Sequence, residues 1–330
     1  MAAAPHRGHR SAAVAARGRT AAGVARGCHH PSDRHAHGAG AMNGPARHGE
    51  AGVVLLNVLV ILSIAAVVVF IMLSSQEDAL GRARIQSASA AAEALARGAE
   101  SSAITALRRD MATAPDTDHY GEPWAQVGQT QADLALGRLS VGIRDAQSRL
   151  NLARLRTRAV SDVQSFLRII AELGIDPALG ARIAAEIAAR PGLSSLSDLR
   201  GVSPATLAQI APYMDFLPDD APVNLNTVDP VVLRAVLNNR SAALRLEQRR
   251  AGAGFLTIDD LTRVGAVRPA GAGFTSQVFD VEIVAEVDDV VVRLLSRIER
   301  RQSFAGSRVV VTRRSFGIPL NAVPDIPAGF

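Results

Sequence analysis

The chain has 330 residues and a formal net charge of +5, and it contains 36 basic side chains, all of which are Arg. The absence of Lys excludes Schiff-base chemistry and the phosphate-binding lysine of a P-loop, and the single cysteine, Cys28, excludes a disulfide framework. The net charge arises in residues 1–52, which hold seven Arg against Asp33 and Glu50. A domain that is basic over its whole surface, as in many nucleic-acid-binding proteins, is therefore not predicted.

The N-terminal residues 1–41 consist mainly of Ala, Gly, Arg and His, with few large apolar side chains. Such a segment buries too little surface to offset the entropy of ordering, so we predict that it is disordered. Seven of the eight His lie before residue 49. They could form a metal-binding tract, but the composition favours sequence ahead of the true start, and Met42 is a natural alternative start.

Residues 53–73 form an apolar segment in which only Asn57 and Ser63 are polar. Its length matches the roughly 20 residues that a helix needs to cross a bilayer. A cleaved secretory signal is an alternative, but no Ala-x-Ala site follows, and a soluble core helix of this length and purity is unusual. Because Arg47 precedes the segment, we expect the N-terminus in the cytoplasm and the bulk of the chain outside it.

The predicted helix does not end with the apolar segment. It continues through the stem, residues 74–112, where Ala is the dominant residue and Pro is absent. Small and apolar side chains recur along it at three- and four-residue steps, which predicts one narrow packing face. This predicted stripe consists of Ile85, Ala88, Ala92, Leu95, Ala99, Ala103 and Ala106.

The sequence that begins at Gly52, Gly-Val-Val-Leu-Leu-Asn-Val-Leu, resembles the N-terminus of type IV pilins and pseudopilins. In that group a prepilin peptidase cuts after the Gly and methylates the new N-terminal residue, which implies processing between Gly52 and Val53. Asn57 stands at the fifth mature position, where Glu is usual. A carboxylate there is thought to meet the amine of a neighbouring subunit, so a neutral Asn57 suits a subunit with no neighbour ahead, unless it is simply a tolerated polar residue.

Turn-forming residues follow the stem, and among them Asp116, Asp118 and His119 are the candidates for a hydrolytic or metal site. A lone His beside loop acids is more typical of a solvated turn, because a stable transition-metal site needs three or four ligands. Alternating apolar residues then predict a strand at 137–145. Further strands are expected only at 281–298, as a hairpin, and at 308–312, so we predict one sheet interrupted by an insertion.

The insertion, residues 151–272, is predicted to be helical and internally repeated. Helix starts with an N-cap and Pro recur, and Leu196-Ser-Asp-Leu199 is echoed by Ile258-Asp-Asp-Leu261. Such modules resemble helix-hairpin-helix folds, which often bind DNA phosphates, so a membrane-anchored DNA receptor for uptake is the alternative function. The insertion holds 14 Arg and 12 acids, and Asn238-Asn239 stands where a Gly-rich turn is usual, so nucleic acid is an unlikely partner.

The order of these features resembles the general secretion pathway protein K family, the large minor pseudopilins of type II secretion. The resemblance rests on the pilin-like start with Asn57, on Gly121-Glu-Pro-Trp-Ala125, on Asp145-x-x-Ser-Arg-Leu-Asn151-Leu, on Val223-Asn-Leu-Asn-Thr227 and on the closing strands. It implies an α+β class with a type IV pilin-like fold, in which a long N-terminal helix packs on a small antiparallel sheet. It also implies an inserted all-α region of two SAM-like, helix-hairpin-helix-like modules.

This resemblance divides the chain into seven parts: a disordered extension and leader (1–52), a transmembrane part (53–73), the periplasmic stem (74–112), a loop and first strand (113–150), the inserted modules (151–272), closing strands (273–315) and a tail (316–330). The implied protein is not an enzyme. It lies in the inner membrane and initiates or caps the pseudopilus tip with other minor pseudopilins, the major pseudopilin, the prepilin peptidase and the inner-membrane assembly platform as partners. The stem stripe should then contact partner subunits.

Calcium is a possible cofactor, since some members of the family bind it. The loop acids Asp116, Asp118, Asp215, Asp219 and Asp220 offer oxygen ligands, but they lack EF-hand spacing and acids of this kind are usually solvated, so the sequence assigns no calcium ligands. An envelope hydrolase is the remaining alternative. It would need His119, the only His beyond the N-terminal segment.

Overall fold

The computed structural model describes residues 50–114, 116–303 and 306–317. The helices are α1 (Glu50–Thr113), α2 (Pro123–Gln126), α3 (Val160–Glu172), α4 (Pro177–Ala189), α5 (Pro204–Ile210), α6 (Pro230–Leu237), α7 (Arg240–Ala253) and α8 (Ile258–Arg263). The strands are β1 (Gln129–Leu134), β2 (Gly137–Asp145), β3 (Leu150–Asn151), β4 (Met214–Asp215), β5 (Val223–Asn224), β6 (Ala272–Gly273), β7 (Val278–Val287), β8 (Val290–Ser303) and β9 (Gly306–Phe316). The predictions for residues 1–49, including disorder and the start at Met42, lie outside the described residues.

The N-terminal helix α1 is continuous from Glu50 to Thr113, as its Ala-rich, Pro-free sequence predicts. Two serine hydroxyls in this helix form hydrogen bonds with its backbone. Ser63 and Ser74 donate to the carbonyl oxygens four residues earlier, at 2.8 and 3.0 Å. The Ser63 hydroxyl therefore has an acceptor within the otherwise apolar segment.

Five antiparallel strands form one sheet in the order β1-β2-β7-β8-β9. Strands β2 and β7 are neighbours, with Asp145 opposite Phe279, although the whole insertion separates them in sequence. This pairing confirms the prediction of one sheet interrupted by an insertion. Strand β1 was not predicted, because its sequence Gln-Thr-Gln-Ala-Asp-Leu is polar and largely exposed at the sheet edge.

One hydrophobic core lies between α1 and one face of this sheet. Small residues of α1 pack against Val281, Ile283 and Leu294 of the central strands, and Leu107 and Trp124 close the core near the end of the helix. The long helix on an antiparallel sheet confirms the predicted α+β class.

The insertion is built from two helical halves, each of which is closed by a two-residue parallel ladder. In the first half β3 pairs with β4, and in the second β5 pairs with β6. A capping box begins a short helical turn in each half, at Ser195 with Asp198 and at Thr257 with Asp260, which confirms the repeat seen in the sequence. The two halves share a single hydrophobic core, so they form one body.

Candidate functional site

The first feature of functional interest is the apolar start of α1. The large apolar side chains of residues 53–73 are exposed to the surroundings in the isolated chain, and Asn57 is exposed among them. Among the described residues α1 is the one helix long and apolar enough to cross a membrane. Processing between Gly52 and Val53 stays a prediction.

The predicted stem stripe packs on the chain's own sheet, so the expectation that it contacts partner subunits is wrong for most of its members. Ala88, Ala92, Ala99 and Ala103 are buried in the core between α1 and the sheet, and Leu95 is partly buried there. The two ends of the stripe differ, because Ile85 is 62% exposed and Ala106 is half-buried. Two residues that the stripe missed, Ala96 and Leu107, are fully buried. Periodicity shows which face is apolar but not whether that face meets its own chain or another.

An ion pair between a buried carboxylate and an exposed arginine fastens the last third of α1 to the sheet. Glu100 receives hydrogen bonds from Arg314 of β9, at 2.6 Å from Nη2, and from the Ser296 hydroxyl of β8. Burial opposes ionisation of Glu100, but the hydrogen bonds from Arg314 and Ser296 outweigh it and lower its pKa. The carboxylate is therefore charged at neutral pH and links three elements.

An acidic cluster lies at the C-terminal end of α1, and it brings together Asp110, Asp118 and Glu122. One oxygen from each of the three lies within 4.8 Å of the others, and all three residues are buried. Arg300 of β8 reaches into the cluster, with Nη2 2.6 Å from Asp110 and Nη1 2.5 Å from Asp118. Burial raises the pKa of Asp110 to about 6 although Arg300 opposes the shift.

Glu122 connects this cluster to the Gly-Glu-Pro-Trp-Ala motif. Its Oε2 atom accepts a hydrogen bond from the indole nitrogen of Trp124 at 2.7 Å, and the Trp124 ring packs edge-on against Phe279 at 5.0 Å. The motif is thus structural: it anchors the loop after α1 in the core under the sheet.

The solvated-turn interpretation of this loop is wrong for Asp118, which is buried, and Asp116 is exposed without joining the cluster. His119 stacks on Phe255 at 5.1 Å, and its Nδ1 atom accepts the Gly121 amide hydrogen. Burial lowers the pKa of His119, so the ring is neutral near pH 7. The Gly121 amide occupies Nδ1 and the ring is stacked on Phe255, and these contacts give the hydrolase alternative no support.

The acidic cluster has the donor set for calcium, a cation that prefers several carboxylate oxygens, and of the acids named from sequence it contains only Asp118. Asp110 Oδ1 is buried and accepts no hydrogen bond among the described residues, so one donor oxygen is free. Asp110, Asp118 and Glu122 would hold the ion. By contrast, Asp215 pairs with Arg149 and Arg297, and Asp219 with Arg156, while Asp220 is exposed.

Three Asx-type turns lie in the insertion or at its junction with the sheet. The side chains of Asp145, Asn151 and Asn224 each accept the amide hydrogen two residues later, at 2.8 to 3.0 Å. Asn224 also donates to Asp145 Oδ2 and to the carbonyl oxygen of Asp118, both at 2.9 Å. The residues quoted for the family resemblance therefore hold the insertion beside the end of α1.

The hairpins that could bind DNA phosphates use their backbone amides internally. Between α3 and α4, the amides of Leu173, Gly174 and Ile175 donate to carbonyl oxygens of α3 at 2.9 to 3.0 Å. Between α6 and α7, Asn238 has a φ of 51° and its amide donates to Arg234, while the Asn239 side chain caps α7. These contacts give the DNA-receptor alternative no support, and nucleic acid stays an unlikely partner by prediction.

Comparison with known proteins identifies relatives. The chain is 30% identical to a Pseudomonas aeruginosa protein described as "Type II secretion system protein K", over 66% of this chain and 77% of that protein. Its fold is similar to a chain in the crystal structure of the GspK-GspI-GspJ complex from the enterotoxigenic Escherichia coli type 2 secretion system, with a TM-score of 0.56 and 20% identity. That match covers 72% of this chain and 100% of the other. No protein-family model matches the chain.

Proposed function

This chain belongs to the type II secretion system protein K family of minor pseudopilins, and on that premise we propose that it initiates or caps the tip of the pseudopilus and so supports protein export. The observation that carries the proposal is the position of the insertion. It leaves the sheet after Asp145 and returns at Val278, and its Asn224 contacts the loop that follows α1. In a filament, a further subunit added beyond the C-terminal end of α1 would meet the insertion.

The proposed location is the inner membrane, with residues 53–73 as a single-pass anchor, the N-terminus in the cytoplasm and the rest in the periplasm. In this arrangement α1 packs among the helices of neighbouring subunits through residues that the chain's own sheet leaves uncovered, such as Ile85. The role is structural and not catalytic, because a filament subunit acts through packing.

The proposed partners are other minor pseudopilins at the tip and the major pseudopilin below them. The prepilin peptidase and the inner-membrane assembly platform act on the chain before it enters the filament. The GspK of the solved complex assembles with GspI and GspJ, which supports a tip complex of the same composition for this chain. Neutral Asn57 fits a subunit that has no neighbour's amine to pair with.

Mass spectrometry of the N-terminus tests the pseudopilin maturation. Co-expression with a prepilin peptidase should yield a chain that begins with N-methylated Val53. Gly52→Leu should block the cut, whereas the matched change Gly49→Leu in the leader should not. An intact leader in the wild-type chain beside an active peptidase would contradict the proposal.

Replacement of the insertion tests tip capping. Asp145 lies opposite Phe279, so a tight turn in place of residues 146–278 should preserve the sheet. The shortened chain should still bind its partners but should not restore secretion to a strain that lacks the gene. A control with an unrelated domain of similar size at the same place should restore part of it, and full secretion by the shortened chain would exclude the capping role.

A further inference from the structure

The acidic cluster at the end of α1 already contains a cation of the protein's own. The Arg300 side chain is only 6% exposed, and its two terminal nitrogens contact one oxygen each of Asp110 and Asp118. Together these contacts join α1, β8 and the loop that follows α1. A divalent ion at the three carboxylates would make the same connection.

The position of Arg300 is fixed from several sides. Its backbone amide donates to the carbonyl oxygen of Gln277 at 2.7 Å, and β8 pairs it with Val309. Its guanidinium carbon lies 4.5 Å from the centre of the Phe279 ring, a distance at which a cation is attracted to the ring face. The guanidinium is therefore held in the cluster by packing as well as by charge.

The charges of the cluster do not cancel. Three carboxyl groups meet one guanidinium and the His119 ring, whose Nε2 atom lies 3.5 Å from Glu122 Oε1, and Asp110 Oδ1 is buried without a hydrogen-bond partner among the described residues. A buried negative charge of this kind attracts a further cation. The guanidinium already contacts two of the three acids, however, and two cations at the same pair of carboxylates repel each other strongly in a buried site.

We propose that Arg300 takes the place of a divalent cation in this cluster, so that the end of α1 is held to the sheet without metal and calcium binds only by displacing the guanidinium. This inference concerns the cluster alone and is independent of the role in the filament. It makes Arg300 a positioning residue that decides whether the chain depends on calcium.

Thermal unfolding of the full-length chain in detergent, with chelator or with millimolar calcium chloride, tests the proposal. The wild-type melting temperature should be the same in both conditions. Arg300→Met leaves the three acids without their cation, so this variant should melt lower in chelator, recover with calcium and bind calcium at least about tenfold more tightly than the wild type. Arg301→Met is the matched control, because Arg301 is exposed and pairs with Glu299.

A second variant keeps the test decisive if Arg300→Met does not fold. Asp110→Asn should lower the melting temperature even in chelator, because it removes the negative charge that pairs with Arg300. A wild-type chain that loses stability in chelator and regains it with calcium would overturn the proposal. An Arg300→Met chain that folds and ignores calcium would overturn it too.

Discussion

Asp145 and Asp280 are both largely removed from solvent, yet their pKa values move in opposite directions. Burial raises the pKa of Asp145 to about 6, since its hydrogen-bond donors, among them Ser276 and Thr227, are neutral. Burial would also raise the pKa of Asp280, but Arg297 and Arg149 outweigh it and hold that pKa at about 2. An aspartate is thus a group that titrates near neutrality at position 145 and a permanently charged ion-pair partner at position 280.

A pH dependence of stability follows for Asp145. Its folded pKa lies above the ordinary value of 3.8, so its stabilising contribution is present below about pH 4 and is lost as the pH rises through about 6. The difference in unfolding free energy between the wild type and Asp145→Asn should therefore shrink by up to about 3 kcal/mol from pH 4 to pH 7.5. Urea unfolding followed by circular dichroism measures it. An equal difference at both pH values would contradict the assignment, since Asp110, Glu122 and His119 titrate in both proteins.

At the scale of elements, the stem of α1 is shaped by its alanines. Ala92, Ala96 and Ala103 have no exposed surface, so the helix backbone approaches the sheet as closely as a methyl group permits. Larger residues there would push the helix away from β7 and β8. The Ala-rich composition therefore serves the chain's own packing as well as helix formation.

One pair of substitutions tests this close approach. Ala96→Leu should lower the free energy of unfolding by about 1 to 3 kcal/mol, because the packed interface has no room for the added atoms. Ala90→Leu makes the same chemical change on an exposed face of α1 and should leave stability nearly unchanged. Chemical unfolding of the two variants decides the matter, and equal losses would show that helix propensity, not packing, sets the effect.

At the scale of the whole molecule, the two halves of the insertion depend on each other. Phe166 and Ile169 of α3 share one core with Leu233 of α6, and Arg168 of α3 donates to the carbonyl oxygen of Ala235 at 2.8 Å. Neither half keeps a closed core if the other is removed. The repeat in the sequence therefore describes one folding unit with two similar parts.

Hydrogen exchange tests this dependence. Leu233→Ala should cost about 2 to 5 kcal/mol and should speed exchange of the α3 amides in the other half as much as that of α6. Leu244→Ala is the control, because that side chain is 44% exposed and its loss should change exchange little. Faster exchange confined to the second half would mean that the halves unfold separately.

The sequence by itself determined the features that depend on local pattern. These are the apolar segment at 53–73, the continuous α1, the interrupted sheet and the repeat in the insertion. Each of these features was predicted from composition, periodicity or capping residues, which are local patterns in the sequence. The motif at Gly121–Ala125 was also visible, although its role in anchoring the loop was not.

Only the tertiary structure decided how the charged residues pair and which surface the stem covers. Arg300 meets Asp110 across 190 residues and Arg314 meets Glu100 across 214, distances at which spacing carries no information about contact. The acidic cluster was hidden for a different reason: its three acids are close in sequence, but they become neighbours only when the loop after α1 folds back towards β8. An apolar helix face predicts that the face is buried, but it does not predict which surface covers it. Burial lowers the free energy against any complementary apolar surface, so only the folded sheet shows that the stem packs on its own chain.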